Sequence, residues 1–111
     1  MLRRRPPRRE LIDLGELVID RAARRVAVRG REVALAAKEY ALLVKLAQEP
    51  DRVLTREHLL RDVWGYRTYV ATRTLESHAS RIRRKLEEAG LTGYVVNVWG
   101  VGYKLRHVAG S

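Results

Sequence analysis

Hydrophobic and polar positions change period along the chain, and the changes predict a small sheet, three helices and a hairpin in that order. Between Leu11 and Leu35 the apolar residues (Leu11, Leu14, Leu17, Ile19, Val26, Val28, Val33, Leu35) recur every two or three positions with charge between them. That spacing predicts a meander of three or four short antiparallel strands. Asp20 to Arg24 and Arg29-Gly30-Arg31 are polar enough for turns, the second centred on a glycine that tolerates positive φ. From about residue 36 the period lengthens: Tyr40, Leu43, Val44 and Ala47 follow i, i+3, i+4, i+7, the mark of an amphipathic helix, and Pro50 closes it. Thr55 is the expected N-cap of a second helix, with Leu59, Leu60 and Val63 pointing inward and Gly65 ending it after Trp64. A connecting loop over 66–71 leads to a third helix over about 72–89, stopped by Gly90. Residues 94–98 and 103–105 then read as two strands joined by Trp99-Gly100-Val101-Gly102, a β-hairpin with a glycine-rich tip.

The third helix is the segment with chemistry to offer. At 100° per residue, Leu75, Ala79, Ile82 and Leu86 fall on one stripe, which predicts the face turned to the core. The opposite face collects Arg73, Ser77, Ser80, Arg84 and, slightly off centre, Arg81. Thr74, His78 and Lys85 flank it on one side, Glu76 and Arg83 on the other. Arginine can bond guanine O6 and N7 bidentately, glutamate can accept from cytosine N4, and lysine or arginine can neutralise phosphates. The two serines keep the centre of the face short, as a helix entering a major groove requires. The wheel by itself leaves two readings open, a DNA-reading face and a solvated charged face. A solvated helix more often interleaves acids and bases at i, i+4.

Charge sharpens this picture. The chain has 111 residues and a formal net charge of +10. Five of its arginines (Arg3, Arg4, Arg5, Arg8, Arg9) crowd into residues 1–9, where Pro6-Pro7 blocks a regular helix. That stretch reads as a flexible basic arm or linker, with an idle solvated tail as the bland alternative, and residues 10–111 as one domain. A basic excess favours polyanions, nucleic acid or an anionic membrane surface, without choosing between them. There is no cysteine, so neither disulfides nor thiolate metal sites are possible. No apolar run approaches the ~20 residues that span a bilayer, and no apolar segment follows the basic N-terminus as a signal peptide requires. The expected location is therefore a reducing cytoplasm, with no membrane partner.

Three spaced motifs resemble the OmpR/PhoB family of response-regulator output domains. They are Val53-Leu54-Thr55-Arg56-Glu57-His58-Leu59-Leu60 with Val63-Trp64-Gly65, then the run from Arg73 to Leu86 (RTLESHASRIRRKL), then Val98-Trp99-Gly100-Val101-Gly102-Tyr103. The resemblance spans residues 11–106. It implies an α+β winged helix-turn-helix fold: an N-terminal four-stranded antiparallel sheet, a three-helix bundle and a C-terminal β-hairpin wing. It further implies sequence-specific binding of double-stranded DNA for transcription regulation, with the third helix in the major groove and the wing near the minor groove. Carried over residue by residue, Glu76, Ser77, Ser80 and Arg81 face base edges, while Trp64, Arg73, Thr74, His78, Arg83 and Arg84 contact phosphates. The wing comprises Asn97, Trp99, Gly100, Gly102 and Tyr103, and the loop Gly65, Tyr66, Arg67, Thr68, Tyr69 faces RNA polymerase. The resemblance also implies self-association in tandem on promoter direct repeats. Many members carry a basic residue where this chain has Trp99, which makes packing or sugar contact its expected role. A receiver domain with its acidic phosphoacceptor cluster does not fit within 111 residues, so the chain reads as an output domain or a stand-alone regulator.

Other classes find less support. His58, His78 and His107 have no metal-ligand spacing, and no phosphate loop or nucleophile elbow is present, so no enzyme activity, cofactor or small-molecule substrate is expected. A winged-helix protein-interaction module without DNA binding is the alternative. A further one is the cytoplasmic domain of a membrane-bound regulator.

Overall fold

A computed structural model describes residues 10–65 and 72–106; the arginine arm (1–9) and Tyr66, Arg67, Thr68 and Tyr69 of the expected polymerase-facing loop lie outside them. Strands β1 (Leu11–Asp13), β2 (Leu17–Asp20), β3 (Arg25–Val28) and β4 (Arg31–Val33) form an antiparallel meander paired in chain order. Alternation sets its two faces: Leu17, Ile19, Val26 and Val28 are buried, while their neighbours look outward. The β3–β4 connection is a two-residue loop, Arg29 (φ 51°) and Gly30 (φ 82°), the doubly left-handed turn that matches strand twist.

Helix α1 (Ala37–Ala47) starts without a side-chain cap from Ala36, but Glu39 Oε1 reaches back to accept from the Ala36 N–H at 3.0 Å. Its buried face is wider than its period suggests. Leu42, Leu43, Leu46 and Ala47 are buried, whereas Tyr40 and Val44 sit half-exposed at the rim. The reason is that α1 is covered from several directions, by α3 (Thr72–Glu88), by strand β7 (Gly102–Leu105) and by the π-helical turn described next. Helix α2 (Arg56–Leu59) is capped by Thr55, whose hydroxyl accepts from the His58 N–H at 3.1 Å. It continues as a π-helical turn, Leu60–Trp64, whose wider bonding brings the Gly65 N–H to the Leu60 carbonyl at 3.2 Å. Lys38 Nζ donates to the Val63 carbonyl at 2.9 Å, and Lys45 Nζ lies 2.7 Å from Asp62 Oδ2, so α1 pins this turn at two points.

Helix α3 buries Leu75, Ala79, Ile82 and Leu86, the stripe that its period predicts. It ends in a paired reverse bond: the Leu91 N–H donates to Leu86 and the Gly90 N–H to Glu87, with Gly90 at φ 104° and Leu91 buried beneath. The hairpin β6 (Val95–Val98) and β7 follows, and a strand not foreseen from the sequence, β5 (Leu54–Thr55), joins it in a sheet ordered β5-β7-β6. Gly102 pairs with Thr55 there, and a Cβ at Gly102 would lie 1.8 Å from the Leu54 carbonyl oxygen. No helix among the described residues is long and apolar enough to cross a membrane.

Glu39 is the one buried charged side chain among the described residues. Its Oε1 also accepts from Lys85 Nζ at 2.7 Å, joining α1 to α3. Burial pushes its carboxyl up, but the Lys85 ammonium and the Ala36 N–H outweigh this and hold it below the ordinary value of 4.5. A depressed carboxylate stabilises the fold above its unfolded pKa and loses that contribution as pH falls through the folded one. In denaturant titrations from pH 6 downward, stability should therefore begin to fall near pH 4.5 in the wild type and fall less steeply in Glu39→Gln. Parallel pH profiles for the two proteins would rule Glu39 out as the source. Gly102→Ala should cost about 1–3 kcal/mol in the same titrations, because β5 must move away from β7 to admit the methyl group.

Candidate nucleic-acid interface

Because one side of α3 is committed to the core, its other side is fixed in direction. Arg73, Glu76, Ser77, Ser80, Arg81 and Arg84 line one shallow concavity on the surface. Four expected base-facing residues (Glu76, Ser77, Ser80, Arg81) thus share a surface with two expected phosphate contacts (Arg73, Arg84). Several other basic side chains are engaged: Arg29 with Glu16 at 2.8 Å, Arg25 with Glu32 at 4.0 Å, Lys45 with Asp62 and Lys85 with Glu39. Among the described residues no carboxylate lies within ion-pair distance of Arg73, Arg81, Arg83 or Arg84. Four cations without protein counter-charges on one helix make a patch suited to an external anion.

Each flank of this face is anchored differently. On one side, Trp64 meets His78 edge to face, with centroids 5.1 Å apart and planes at 83°. The carbonyl of Thr74 can only accept, so His78 carries its proton on Nδ1 and donates it across 2.8 Å. Thr74, His78 and Trp64 are all half-buried, and form one ridge joining α3 to the π-helical turn. Gly65 follows at φ 99°, a left-handed conformation that glycine adopts without strain.

On the other side stands the wing. Its tip is a turn closed by the Val101 N–H on the Val98 carbonyl at 2.9 Å, with Gly100 at φ 77°. Trp99 is 90% exposed, which of the two roles expected for it favours sugar contact over packing. Val95, Tyr103 and Leu105 are the hairpin residues that reach the core. Tyr103 is itself buried, and burial raises its hydroxyl pKa. Asn97 is committed within the protein, accepting through Oδ1 from Arg56 Nη2 at 3.3 Å. Arg56 is the residue that sequence reasoning missed. A cation in the first turn of a helix opposes the macrodipole, and that mismatch is the signal that would have marked it.

The family model described as "Transcriptional regulatory protein, C terminal" matches residues 30–105. The chain belongs to this family of transcription-regulator C-terminal domains. The family is one of regulatory domains and not an enzyme class. This regulator domain is 43% identical to the transcriptional regulatory protein ResD of Bacillus subtilis over 102 residues, covering 90% of this chain and 42% of ResD. It therefore spans less than half the length of that relative. Among solved structures, the response regulator DrrB of Thermotoga maritima, an OmpR/PhoB homologue, superposes with a TM-score of 0.77 at 33% identity, over 87% of this chain and 44% of DrrB. The RstA DNA-binding domain of Klebsiella pneumoniae, solved in complex with the RstA box, gives 0.79 at 30% identity, over 89% and 99%. The winged-helix architecture of the OmpR/PhoB output domains is thus the architecture of this chain.

The exposure of Trp99 leads to a direct expectation. Trp99→Ala should leave the denaturation midpoint within about 0.5 kcal/mol of wild type, as a surface change does. The fluorescence lost in that variant should be the red-shifted component of an indole in water, leaving the bluer emission of half-buried Trp64. A clear loss of stability would mean that the Trp99 ring packs on the domain in solution.

Proposed function

We propose that the domain binds double-stranded DNA sequence-specifically to regulate transcription, with α3 in the major groove and the wing toward the adjacent minor groove. The observation that carries this reading is the α3 face: Arg73, Arg81 and Arg84, none in an ion pair within the protein, around two short serines. Arg81, Ser77, Ser80 and Glu76 supply donors and acceptors for base edges, and Arg73, Arg84, Arg83, Thr74, His78 and Trp64 the phosphate contacts. The RstA domain solved with its box, similar along most of this chain, supports the DNA-binding reading. One small domain buries a modest interface, which favours tandem self-association on promoter direct repeats, with centres about one helical turn (~10–11 bp) apart. In this reading it is the output domain of a bacterial two-component response regulator or a stand-alone regulator, acting in the cytoplasm. The loop from Gly65 to Tyr69 then faces RNA polymerase.

Selection from a random duplex library at about 150 mM salt tests the reading, since that salt suppresses purely electrostatic binding. The expected result is a short motif repeated in one orientation at one-turn spacing. Affinity for that motif should fall with salt at a log–log slope near −0.9 per phosphate, for about five to eight phosphates. Arg81→Ala should relax preference at one base pair at a cost of about 1–3 kcal/mol. Equal weakening of every sequence would demote Arg81 to a backbone contact, and a library without enrichment would make the domain either a non-specific basic binder or a winged helix whose partner is a protein.

A further inference from the structure

The Arg56 side chain is only 21% exposed and meets both the third helix and the wing. Its Nη2 donates to Asn97 Oδ1 on β6 at 3.3 Å, and its Nε lies 4.0 Å from Glu76 Oε2 on α3. The guanidinium carbon stands 5.5 Å from the centroid of the Tyr103 ring on β7. Even its backbone joins the wing, the Arg56 N–H donating to the Val101 carbonyl at 3.3 Å. One planar cation at the start of α2 thus bridges the third helix and both strands of the hairpin.

We infer that Arg56 is a specificity-determining residue that acts through Glu76, holding its carboxylate in the base-facing register and tying that register to the wing. The inference rests on the DNA-binding reading above. Glu76 is the single acid between Arg73 and Lys85, and it lines the concavity with Ser77 and Ser80. A bare carboxylate brought between two walls of phosphate is repelled, so an acid there needs a neighbouring cation. Arg56 is that cation. With one carboxylate oxygen turned to Arg56, the other remains to accept from a cytosine amino group. Arginine suits the task because its fork serves Asn97 and Glu76 at once, as a lysine point charge cannot. Tyr103 beneath the guanidinium limits where the fork can swing.

The test compares motifs selected by the wild type, Arg56→Met, Glu76→Gln and the double variant, with thermal unfolding as a check on folding. Arg56→Met should lose roughly tenfold discrimination at one base pair, the same pair that Glu76→Gln affects, and the double variant should lose no more there. The salt slope should stay at its wild-type value. Uniform weakening with a slope shallower by about 0.9 would instead make Arg56 a direct phosphate contact and overturn the inference. So would a change confined to a different base pair. Should Arg56→Met fail to fold, Asn97→Ala carries the test, since it frees the fork without removing the charge. A smaller loss at the Glu76 position supports the inference, and an unmoved motif sinks it. A wild type that enriches no motif overturns the DNA-binding reading and this inference with it, whereas a wild-type motif indifferent to these variants overturns this inference alone.

Discussion

The fold depends on burying one narrow stripe of α3. An isolated 17-residue helix this polar is marginal in water, because helix propagation alone gains little. What holds it is Leu75, Ala79, Ile82 and Leu86 against α1 and the hairpin, where each fully buried large side chain contributes roughly 1.5–3 kcal/mol. The reverse bonds at Gly90 then fold Leu91 beneath the helix end, so the chain leaves α3 already directed into the wing. With four anchors at helical spacing and a fixed exit, α3 can neither roll nor slide. The direction in which its opposite face points is a consequence of packing.

Charge is distributed by the same angular logic. Lys85 lies on the flank nearest α1, and Glu39 draws it inward to make the buried contact between the two helices. Such a pair costs desolvation as well as gaining attraction, so its clearest effect is to specify how α1 and α3 sit together. Arg73 and Arg84 lie roughly 100–120° further round the helix and Arg81 one turn before Lys85, and no carboxylate among the described residues comes within ion-pair distance of them. Cations on one helix thus divide by position alone, one paired inside the protein and three left without a paired carboxylate.

How much of this was legible in the sequence depended on the length over which each signal acts. The α3 stripe was readable because four apolar positions repeat on one helix with charge between them. The α1 face was read as too narrow, since Leu42 and Leu46 are as deeply buried as Leu43 while Tyr40 and Val44 are not. A helix covered from several sides has no clean period. Strand β5 has two residues, too few to alternate, and the π-helical turn leaves no spacing of its own. Gly30 was readable as a turn residue. Gly102 was not, because its need is the nearness of Leu54 in space and no feature of its own backbone. Among the candidate site residues, those on α3 could be grouped by helical angle, but the contacts of Asn97 with Arg56 and of Trp64 with His78 cross between elements and have no local signature.

That last kind of contact determines how the recognition surface behaves as a unit. Because Gly102 admits Leu54 at such close range, the start of α2 and the base of the wing belong to one sheet. Arg56 extends the connection to α3 through Glu76. Under the proposed mode of binding, the parts that enter the two grooves therefore keep one spacing whatever sequence they meet. Changes at Ser77, Ser80 or Arg81 can then alter which bases are preferred without altering the separation between groove contacts. Glu76 stands apart from those three, since changing it also removes the carboxylate that faces Arg56. In that mode of binding, specificity is separable at three of the four proposed base-facing positions, and coupled to the architecture at the fourth.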